Sequence, residues 1–195
     1  MNPSAKQNFH SAAGALARWL KWLLCSWAVL VIANATVAEE PVSKEYQIKA
    51  AYLYNFAKFV QWPEERFATG QTPLVIGVFG RNPFGGELQA IARDHKINGR
   101  AIVIKPVATV AEARTVHLLF MSAAESNELA PRLAALDGAG VLTVGESEAF
   151  AEDGGMIVFV READKVRFHI NAAAAEHAGL KISAQLLKLS QVARK

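Results

Sequence analysis

The fold is decided by residues 74–86, which read LVIGVFGRNPFGG. The first six of these residues, Leu74–Phe79, are apolar apart from one glycine, which is typical of a strand covered on both faces of a sheet. Asn82 and Pro83 then suit the N-cap and the first position of a helix. A buried strand that runs through a short loop into a helix is the repeating unit of an α/β fold.

The same alternation continues towards the C-terminus. Short apolar strands are predicted at residues 101–107, 117–121 and 141–144. Helical stretches are predicted at residues 84–93, 110–114 and 125–136. Because short apolar strands alternate with helices, the sequence predicts a mostly parallel sheet with helices on both faces.

The pattern changes in the last third of the chain. Strands are predicted at residues 156–161 and 166–170, and a tight turn joins them. Two strands connected this closely form a hairpin, so we expect an antiparallel pair at the end of the sheet.

Two helices are predicted after the hairpin, at residues 172–178 and 183–194, and Gly179 suits the position just after the first of them. No linker or internal repeat divides the chain. We therefore expect residues 39–195 to form a single three-layer α/β domain, with a mostly parallel sheet and an antiparallel hairpin near the C-terminus.

A long helix is predicted ahead of the first strand, from Lys44 to Trp62, with Ser43 as its N-cap and Pro63 at its end. Two adjacent stripes of this helix are apolar, which leaves only a narrow polar face. Such a helix either packs in the core or covers part of its surface with a partner, and the sequence leaves both open. The candidate partner-binding residues are the aromatic side chains Tyr52, Phe56, Phe59 and Trp62.

Residues 1–38 have the order of regions found in a secretory signal peptide. A basic stretch ends at Lys21, an apolar run follows, and small residues offer cleavage after Ala35 or Ala38. The apolar run is short for a bilayer, which takes about 20 helical residues. An uncleaved anchor is the alternative. We expect a cleaved leader and a mature protein in the periplasm.

The formal net charge of +3 belongs to this leader. Lys6, Arg18 and Lys21 are its charged residues, and residues 39–195 hold 18 basic and 18 acidic side chains. A nucleic-acid-binding protein carries a clustered basic face. The neutral balance of the mature chain therefore argues against nucleic acid as a partner.

The single cysteine, Cys25, also lies in the leader. The mature chain is therefore expected to have no disulfide, no thiolate metal site and no cysteine nucleophile. A domain of about 157 residues buries a sufficient core without such cross-links.

The sequence contains no recognised catalytic motif. It has no nucleophile elbow, P-loop, dinucleotide-binding fingerprint or zinc-protease motif. The four histidines after the leader lack a metal-like spacing, and His117, at the start of a predicted strand, is expected to be a satisfied core or edge residue. The acidic residues between 146 and 153 are expected to form a solvated loop. We expect neither an enzyme nor a bound metal or cofactor.

One loop has the features of a ligand site. Residues 80–86 follow the carboxyl end of a strand, where ligands usually bind in open α/β sheets, and the predicted helix start offers free N–H groups. The candidate ligand-binding residues are Arg81, Asn82, Phe84 and Gly85. Helix capping alone also explains Asn82 and Pro83. A small-solute binding protein is therefore an alternative function.

Six motifs occur in order after the leader. They read IKAAYLYNFAKFVQWP at 48–63, NPFG at 82–85, VLTVGES at 141–147, GGMI at 154–157, RFHIN at 167–171 and GLKISAQLL at 179–187. Each motif is short, but together they closely resemble the YfiR-like family of periplasmic signalling repressor proteins. The resemblance covers essentially the whole mature chain.

The resemblance implies that the protein binds an inner-membrane sensor with a periplasmic domain, a cyclase or a kinase, and controls it, most simply by repression. With a diguanylate cyclase as partner, this control affects cyclic di-GMP and biofilm formation. Homodimer formation stays open. The family also uses disulfides in redox sensing, and the lack of cysteine in the mature chain departs from that pattern, so no thiol switch is expected here.

Overall fold

The structure, a computed structural model, describes residues 42–125 and 128–192. The predicted signal peptide, residues 1–38, lies outside the described residues. Within the described residues, no helix combines the length and the apolar character needed to cross a bilayer.

Helices and strands alternate along most of the described chain. The α-helices are α1 (Lys44–Phe59), α2 (Glu87–Asp94), α3 (Val110–Ala113), α4 (Leu129–Ala135), α5 (Glu148–Glu152), α6 (Ala172–His177) and α7 (Ala184–Val192). The strands are β1 (Val60–Gln61), β2 (Leu74–Phe79), β3 (Lys96–Ile97), β4 (Arg100–Val107), β5 (Leu118–Met121), β6 (Leu142–Gly145), β7 (Ile157–Glu162), β8 (Lys165–Ile170) and β9 (Lys181–Ile182). Short 3-10 turns lie at Glu64–Arg66 and Ala123–Glu125.

The main sheet has seven strands in the order β3-β4-β2-β5-β6-β7-β8. The five strands from β4 to β7 run parallel, with Ile76 of β2 beside Ile104 of β4 and Leu118 of β5. The two edge strands, β3 and β8, are antiparallel to their neighbours. This topology confirms the prediction of a mostly parallel sheet with an antiparallel hairpin near the C-terminus.

Both faces of the sheet are covered, because successive residues of each strand point to opposite sides. Phe120 of β5 belongs to a core cluster with Leu53 and Phe56 of α1, whereas the preceding Leu119 packs in a second cluster with Phe150 of α5. Sheet and helices therefore form three layers, as the sequence predicts.

The hairpin turn between β7 and β8 has an unusual composition. Its two central residues, Ala163 and Asp164, have φ values of 46° and 61°. Two positive φ values in a two-residue loop define a type I′ turn, whose twist matches that of the strands it joins. The tight turn predicted between these strands is therefore present, although neither residue is a glycine.

Helix α1 ends three residues earlier than predicted, at Phe59 rather than Trp62. Val60 and Gln61 are extended and pair with Ile182 and Lys181 in a separate two-stranded ribbon. Val60 is β-branched and suits this extended pairing. The sequence predicts a helix up to Trp62 because Pro63 is the first local stop signal. The partner strand that ends the helix earlier lies far away in the sequence.

Two other helices start later than predicted. Helix α2 begins at Glu87 rather than at residue 84, because Gly85 has a left-handed φ of 51° that a helix does not accommodate. Helix α4 begins at Leu129 rather than at residue 125, and Glu128 before it has a φ of 59°. In both cases a left-handed residue interrupts the helical path.

Candidate functional site

Helix α1 is the element that positions the candidate site. Ser43 caps it, since its hydroxyl accepts a hydrogen bond from the N–H of Tyr46 at 3.4 Å. One face of the helix is buried through Ala50, Leu53 and Phe56. This burial holds the helix against the sheet, with its N-terminal part near the carboxyl end of β6 and its C-terminal end near the amino end of β5.

A buried ion pair joins α1 to the sheet. Lys49 Nζ lies 2.5 Å from Oε2 of Glu146, and both side chains are 6% exposed. Glu146 directly follows β6, and its Oε1 accepts hydrogen bonds from the Tyr46 hydroxyl at 3.0 Å and from the N–H of Ala123 at 2.9 Å. A buried carboxylate is tolerated only when it is paired and hydrogen-bonded in this way. We call Tyr46, Lys49 and Glu146 the carboxyl-edge cluster.

The Tyr46 hydroxyl is held in its protonated, donating form. Burial raises the pKa of Tyr46 to about 12, and the negative charge of Glu146, which accepts its hydrogen bond, adds to this effect. Tyr46 therefore remains a donor to Glu146 at every physiological pH.

The sequence pattern does not predict this cluster. Glu146 is expected in a solvated acidic loop, whereas the structure buries its side chain against Lys49. One signal was available: Lys49 lies three residues after Tyr46 and four before Leu53, on the face of the helix that the pattern predicts to be buried. A lysine on a buried helical face requires a carboxylate partner.

Phe56 lies in the core and not on a contact surface. It is completely buried, and its ring centroid is 4.8 Å from Phe168 and 5.6 Å from Phe159. This position corrects the interpretation of Phe56 as a partner-binding residue. Its neighbour Tyr52 is half-buried, packs on the same rings, and retains an accessible edge.

Phe59 and Trp62 lie elsewhere. Phe59 is half-buried against the core cluster of α1. Trp62 donates its Nε1–H to the carbonyl oxygen of His117 at 3.0 Å, at the amino end of β5. The structure therefore does not bring Trp62 and Tyr52 together: Trp62 lines a separate cavity of about 630 Å³ that Phe67 and Arg100 also line.

His117 confirms the expectation of a satisfied core residue. It is 3% exposed, its Nδ1 accepts a hydrogen bond from the N–H of Val75 at 3.0 Å, and its Nε2 lies 3.2 Å from the carbonyl oxygen of Arg66. The proton therefore resides on Nε2. The pKa of His117 is lowered to about 4, mainly by burial; the hydrogen bond to Arg66 opposes this shift, and the positive charges of Arg66 and Arg100 contribute to it. The imidazole is neutral at physiological pH.

The predicted ligand loop uses most of its polar groups internally. Asn82 accepts the N–H of Phe84 at 2.9 Å and donates to the carbonyl oxygen of Gly85 at 3.2 Å, which closes a local turn instead of capping a helix. Phe84 is fully buried and packs edge-on against Tyr46 and Phe120. Arg81 is exposed. Solute binding by this loop stays a prediction.

A groove of about 520 Å³ lies between α1 and the hairpin of β7 and β8. Helix α1 lines it with Lys44, Glu45, Ile48 and Tyr52, and the hairpin lines it with Arg161, Asp164 and residues 165–167. We call this site the α1–hairpin groove. It lies beside the carboxyl-edge cluster, because Glu45 of the groove also contacts Lys49.

The groove combines an apolar floor with a charged rim. Ile48 is 40% exposed, although isoleucine is among the residue types most often buried. On the rim, Arg161 lies 3.2 Å from Asp164 and 3.9 Å from Glu45. Within the described residues, no group of three or more histidine, cysteine or carboxylate side chains has an arrangement that could hold a metal ion. An apolar floor with a charged rim is a composition found in protein contact surfaces.

One crystal structure that is similar is described as a conserved domain protein from Vibrio cholerae O1 biovar El Tor str. N16961, with 14% identity and a TM-score of 0.48. The similarity covers 74% of this chain and 58% of that chain, so this chain spans less than two thirds of the length of the protein it resembles. A search among curated proteins finds no match.

A comparison with known families matches residues 46–191 to the family described as YfiR/HmsC-like. The matched region runs from the first turn of α1 to the last turn of α7, and it includes the carboxyl-edge cluster and all of the α1–hairpin groove except Lys44 and Glu45. The chain belongs to the YfiR/HmsC-like family.

Proposed function

We propose that this protein is a periplasmic regulatory protein that binds an inner-membrane signalling protein, such as a diguanylate cyclase, and represses it. Membership of the YfiR/HmsC-like family supports the regulatory and periplasmic parts of this proposal. Through a cyclase partner, the protein would change the level of cyclic di-GMP in the cell and, with it, biofilm formation.

The observation that carries the proposal is the exposed apolar part of α1. Ile48 is 40% exposed and Tyr52 is half-buried on adjacent turns of the helix, and both line the α1–hairpin groove. Apolar and aromatic residues with a charged rim are the composition of a protein contact surface. We therefore assign partner binding to Ile48 and Tyr52, with Phe59 and Trp62 as candidates outside the groove.

Regulation follows from differential binding. If the protein binds one signalling conformation of its partner more tightly than the other, it shifts the partner towards that conformation by no more than the difference in affinity. A coupling free energy of about 1–3 kcal/mol changes the output about 5–150-fold.

The test is crosslinking in cells that express the tagged full chain, followed by purification and identification of the crosslinked proteins. We expect to recover an inner-membrane protein that has a periplasmic domain and a cytoplasmic cyclase or kinase module. Deletion of the gene for this protein should then change the output of that module, measured as cyclic di-GMP for a cyclase. Repeated recovery of no membrane protein by a folded chain would contradict the proposal.

The matched variants are Ile48→Glu and Leu189→Glu. Both residues are exposed on helices, at 40% and 51%, but Leu189 lies on α7 and does not line the groove. We expect Ile48→Glu to lose the crosslinked partner and Leu189→Glu to keep it. Equal recovery by both variants would remove the groove from the proposal.

A further inference from the structure

We infer that the α1–hairpin groove binds an extended, acidic segment of the partner protein, which adds as a strand to the outer edge of β8 near the hairpin turn. This inference rests on the proposed function and specifies the chemistry of the partner at the same site. Two independent observations support it: the unpaired basic groups of the groove and the position of β8 in the sheet.

The charge of the groove is basic once its internal ion pairs are counted. Four basic and two acidic residues line it. Both acidic residues are already engaged, because Asp164 pairs with Arg161 and Glu45 pairs with Lys49 and Arg161. Among the described residues, no carboxylate lies within ion-pair distance of Lys44, Lys165 or Arg167.

These three basic groups sit on two different elements, Lys44 on α1 and Lys165 and Arg167 on β8, around one apolar floor. The balance of basic and acidic groups in the chain after the leader is neutral, so the charge here is local and not a property of the whole surface. A patch of this kind favours a negatively charged partner and selects against a basic one.

The edge of β8 supplies the second argument. Among the described strands, β8 pairs with β7 alone and ends the sheet, while α7 packs against part of β8. The N–H of Asn171 donates to the carbonyl oxygen of Met156 at 2.8 Å. In an antiparallel pair only every second residue bonds to the neighbouring strand, so Arg167 and Lys165 direct their backbone groups at β7 as Asn171 does. The N–H and C=O of Val166 therefore point away from β7, towards the side from which a new strand would approach.

Val166 also lines the groove, between Lys165 and Arg167. An added strand would bond to its backbone, and alternate side chains of that strand would meet the apolar floor of Ile48 and Tyr52 and the basic rim. The edge is short and carries basic side chains, which discourages pairing with another copy of the same edge. Any added strand can bond to the backbone of this edge, but an acidic strand also complements its positive charge, whereas a basic strand is repelled.

The first experiment uses a short synthetic peptide of alternating glutamate and valine with blocked ends, added to the protein purified from cells that express the full chain. The readout is amide hydrogen exchange. We expect slower exchange at Val166 and unchanged exchange in β3, the opposite edge of the sheet. The matched peptides replace glutamate with lysine or with glutamine, and we expect neither to slow exchange at Val166.

Charge-reversal variants test the same surface. We expect Lys165→Glu combined with Arg167→Glu to weaken binding of the acidic peptide about tenfold or more, and higher salt to weaken it in the unchanged protein. Lys96→Glu is the control, because Lys96 is an exposed lysine on the edge strand β3. Equal binding of the acidic and basic peptides, or no protection at Val166, would overturn the inference.

Crosslinking in cells separates this inference from the proposed function. If the unchanged protein recovers a membrane partner and the double charge-reversal variant recovers it equally well, the function stands and the acidic-segment inference fails. If the crosslinked species at the groove is a second copy of this chain, the inference also fails. Recovery of no membrane protein contradicts the proposed function, and the peptide experiment still decides the chemistry of the groove.

Discussion

Polar groups are buried in opposite ways at the two ends of the parallel strands, which we call the carboxyl edge and the amino edge of the sheet. At the carboxyl edge, Lys49 and Glu146 form an ion pair in which both side chains are 6% exposed. At the amino edge, His117 is 3% exposed and is neutral, with a pKa of about 4. The difference lies in the neighbours: Glu146 meets a cation and two hydrogen-bond donors, whereas His117 lies among the cations Arg66 and Arg100.

The comparison shows what decides whether a buried group keeps its charge. Desolvation disfavours the charged form at both edges. Opposite charge and hydrogen bonds offset that cost for Glu146, and like charge adds to it for His117. Each edge should therefore respond to a different perturbation: the carboxyl edge to loss of a partner, and the amino edge to pH.

The largest effect is expected from Lys49→Met, which removes the cation from the buried pair. Glu146 would remain buried with only its two hydrogen bonds, and the free energy of unfolding should fall by about 3–5 kcal/mol. Urea unfolding followed by circular dichroism measures this loss.

The double variant Lys49→Met with Glu146→Gln is the control for this change. It removes both charges, so we expect it to regain most of the lost stability, as replacing a complete buried pair is often neutral. A single variant that loses less than about 1 kcal/mol would show that the pair is not desolvated as the structure indicates.

The second effect concerns the amino edge and pH. The pKa of His117 is about 4 in the folded protein against about 6.5 for an unperturbed histidine, so between these values the unfolded chain binds more protons. Stability from this residue is therefore complete above pH 6.5 and is lost as the pH falls towards 4, by about 3 kcal/mol.

The measurement is the free energy of unfolding from pH 7 down to 4, for the unchanged protein and for His117→Asn. Asparagine retains an acceptor for the N–H of Val75 but does not titrate. The difference between the two curves isolates His117 from the carboxylates that also titrate in this range. Parallel curves would contradict the neutral, buried state of His117.

The third effect is smaller and concerns the hydrogen bond from Tyr46 to Glu146, apart from the ion pair with Lys49. Tyr46→Phe removes one of the donors to Glu146 and retains the ring that packs on Phe84. We expect a loss of about 1 kcal/mol, because the hydrogen bond is to a charged group but is only partly buried. Tyr54→Phe is the matched control, since the Tyr54 hydroxyl makes no hydrogen bond within the described residues and should cost little.

The sequence predicts the sheet well because the signals for it are local. Leu74–Phe79 has the predicted bounds, and the hairpin turn at Ala163 and Asp164 follows from two apolar runs separated by a few residues. The sequence also predicts that His117 is a satisfied core or edge residue, since a histidine within apolar residues at the start of a strand is usually buried and satisfied. These inferences need only the local pattern, although the partners that satisfy His117, Val75 and Arg66, lie far from it in the sequence.

The candidate site is harder to predict because its residues come from distant parts of the chain. Lys49 and Glu146 are 97 residues apart, and only the folded sheet brings the end of β6 to α1. The aromatic stripe on α1 indicates an apolar face but does not distinguish Phe56, which packs in the core, from Tyr52, which reaches the groove. The left-handed conformation of Gly85, which delays α2, gives no pattern of its own.

The smallest effect is expected from Arg161→Ala at the rim of the groove. Arg161 lies 3.9 Å from Glu45 and 3.2 Å from Asp164, with 68% of its side chain exposed. Exposed ion pairs contribute about 0–1 kcal/mol, so the free energy of unfolding should change by less than about 0.5 kcal/mol. Urea unfolding under the conditions used for Lys49→Met measures it.

This variant sharpens the comparison because Glu45 contacts both Lys49 and Arg161. The two cations differ chiefly in exposure: the Lys49 side chain is 6% exposed and the Arg161 side chain is 68% exposed. A large loss for Lys49→Met beside almost none for Arg161→Ala would assign the stability of the carboxyl edge to the buried contact with Glu146. Comparable losses for the two variants would instead mean that burial does not separate the cluster from the groove, and that both belong to one charged network.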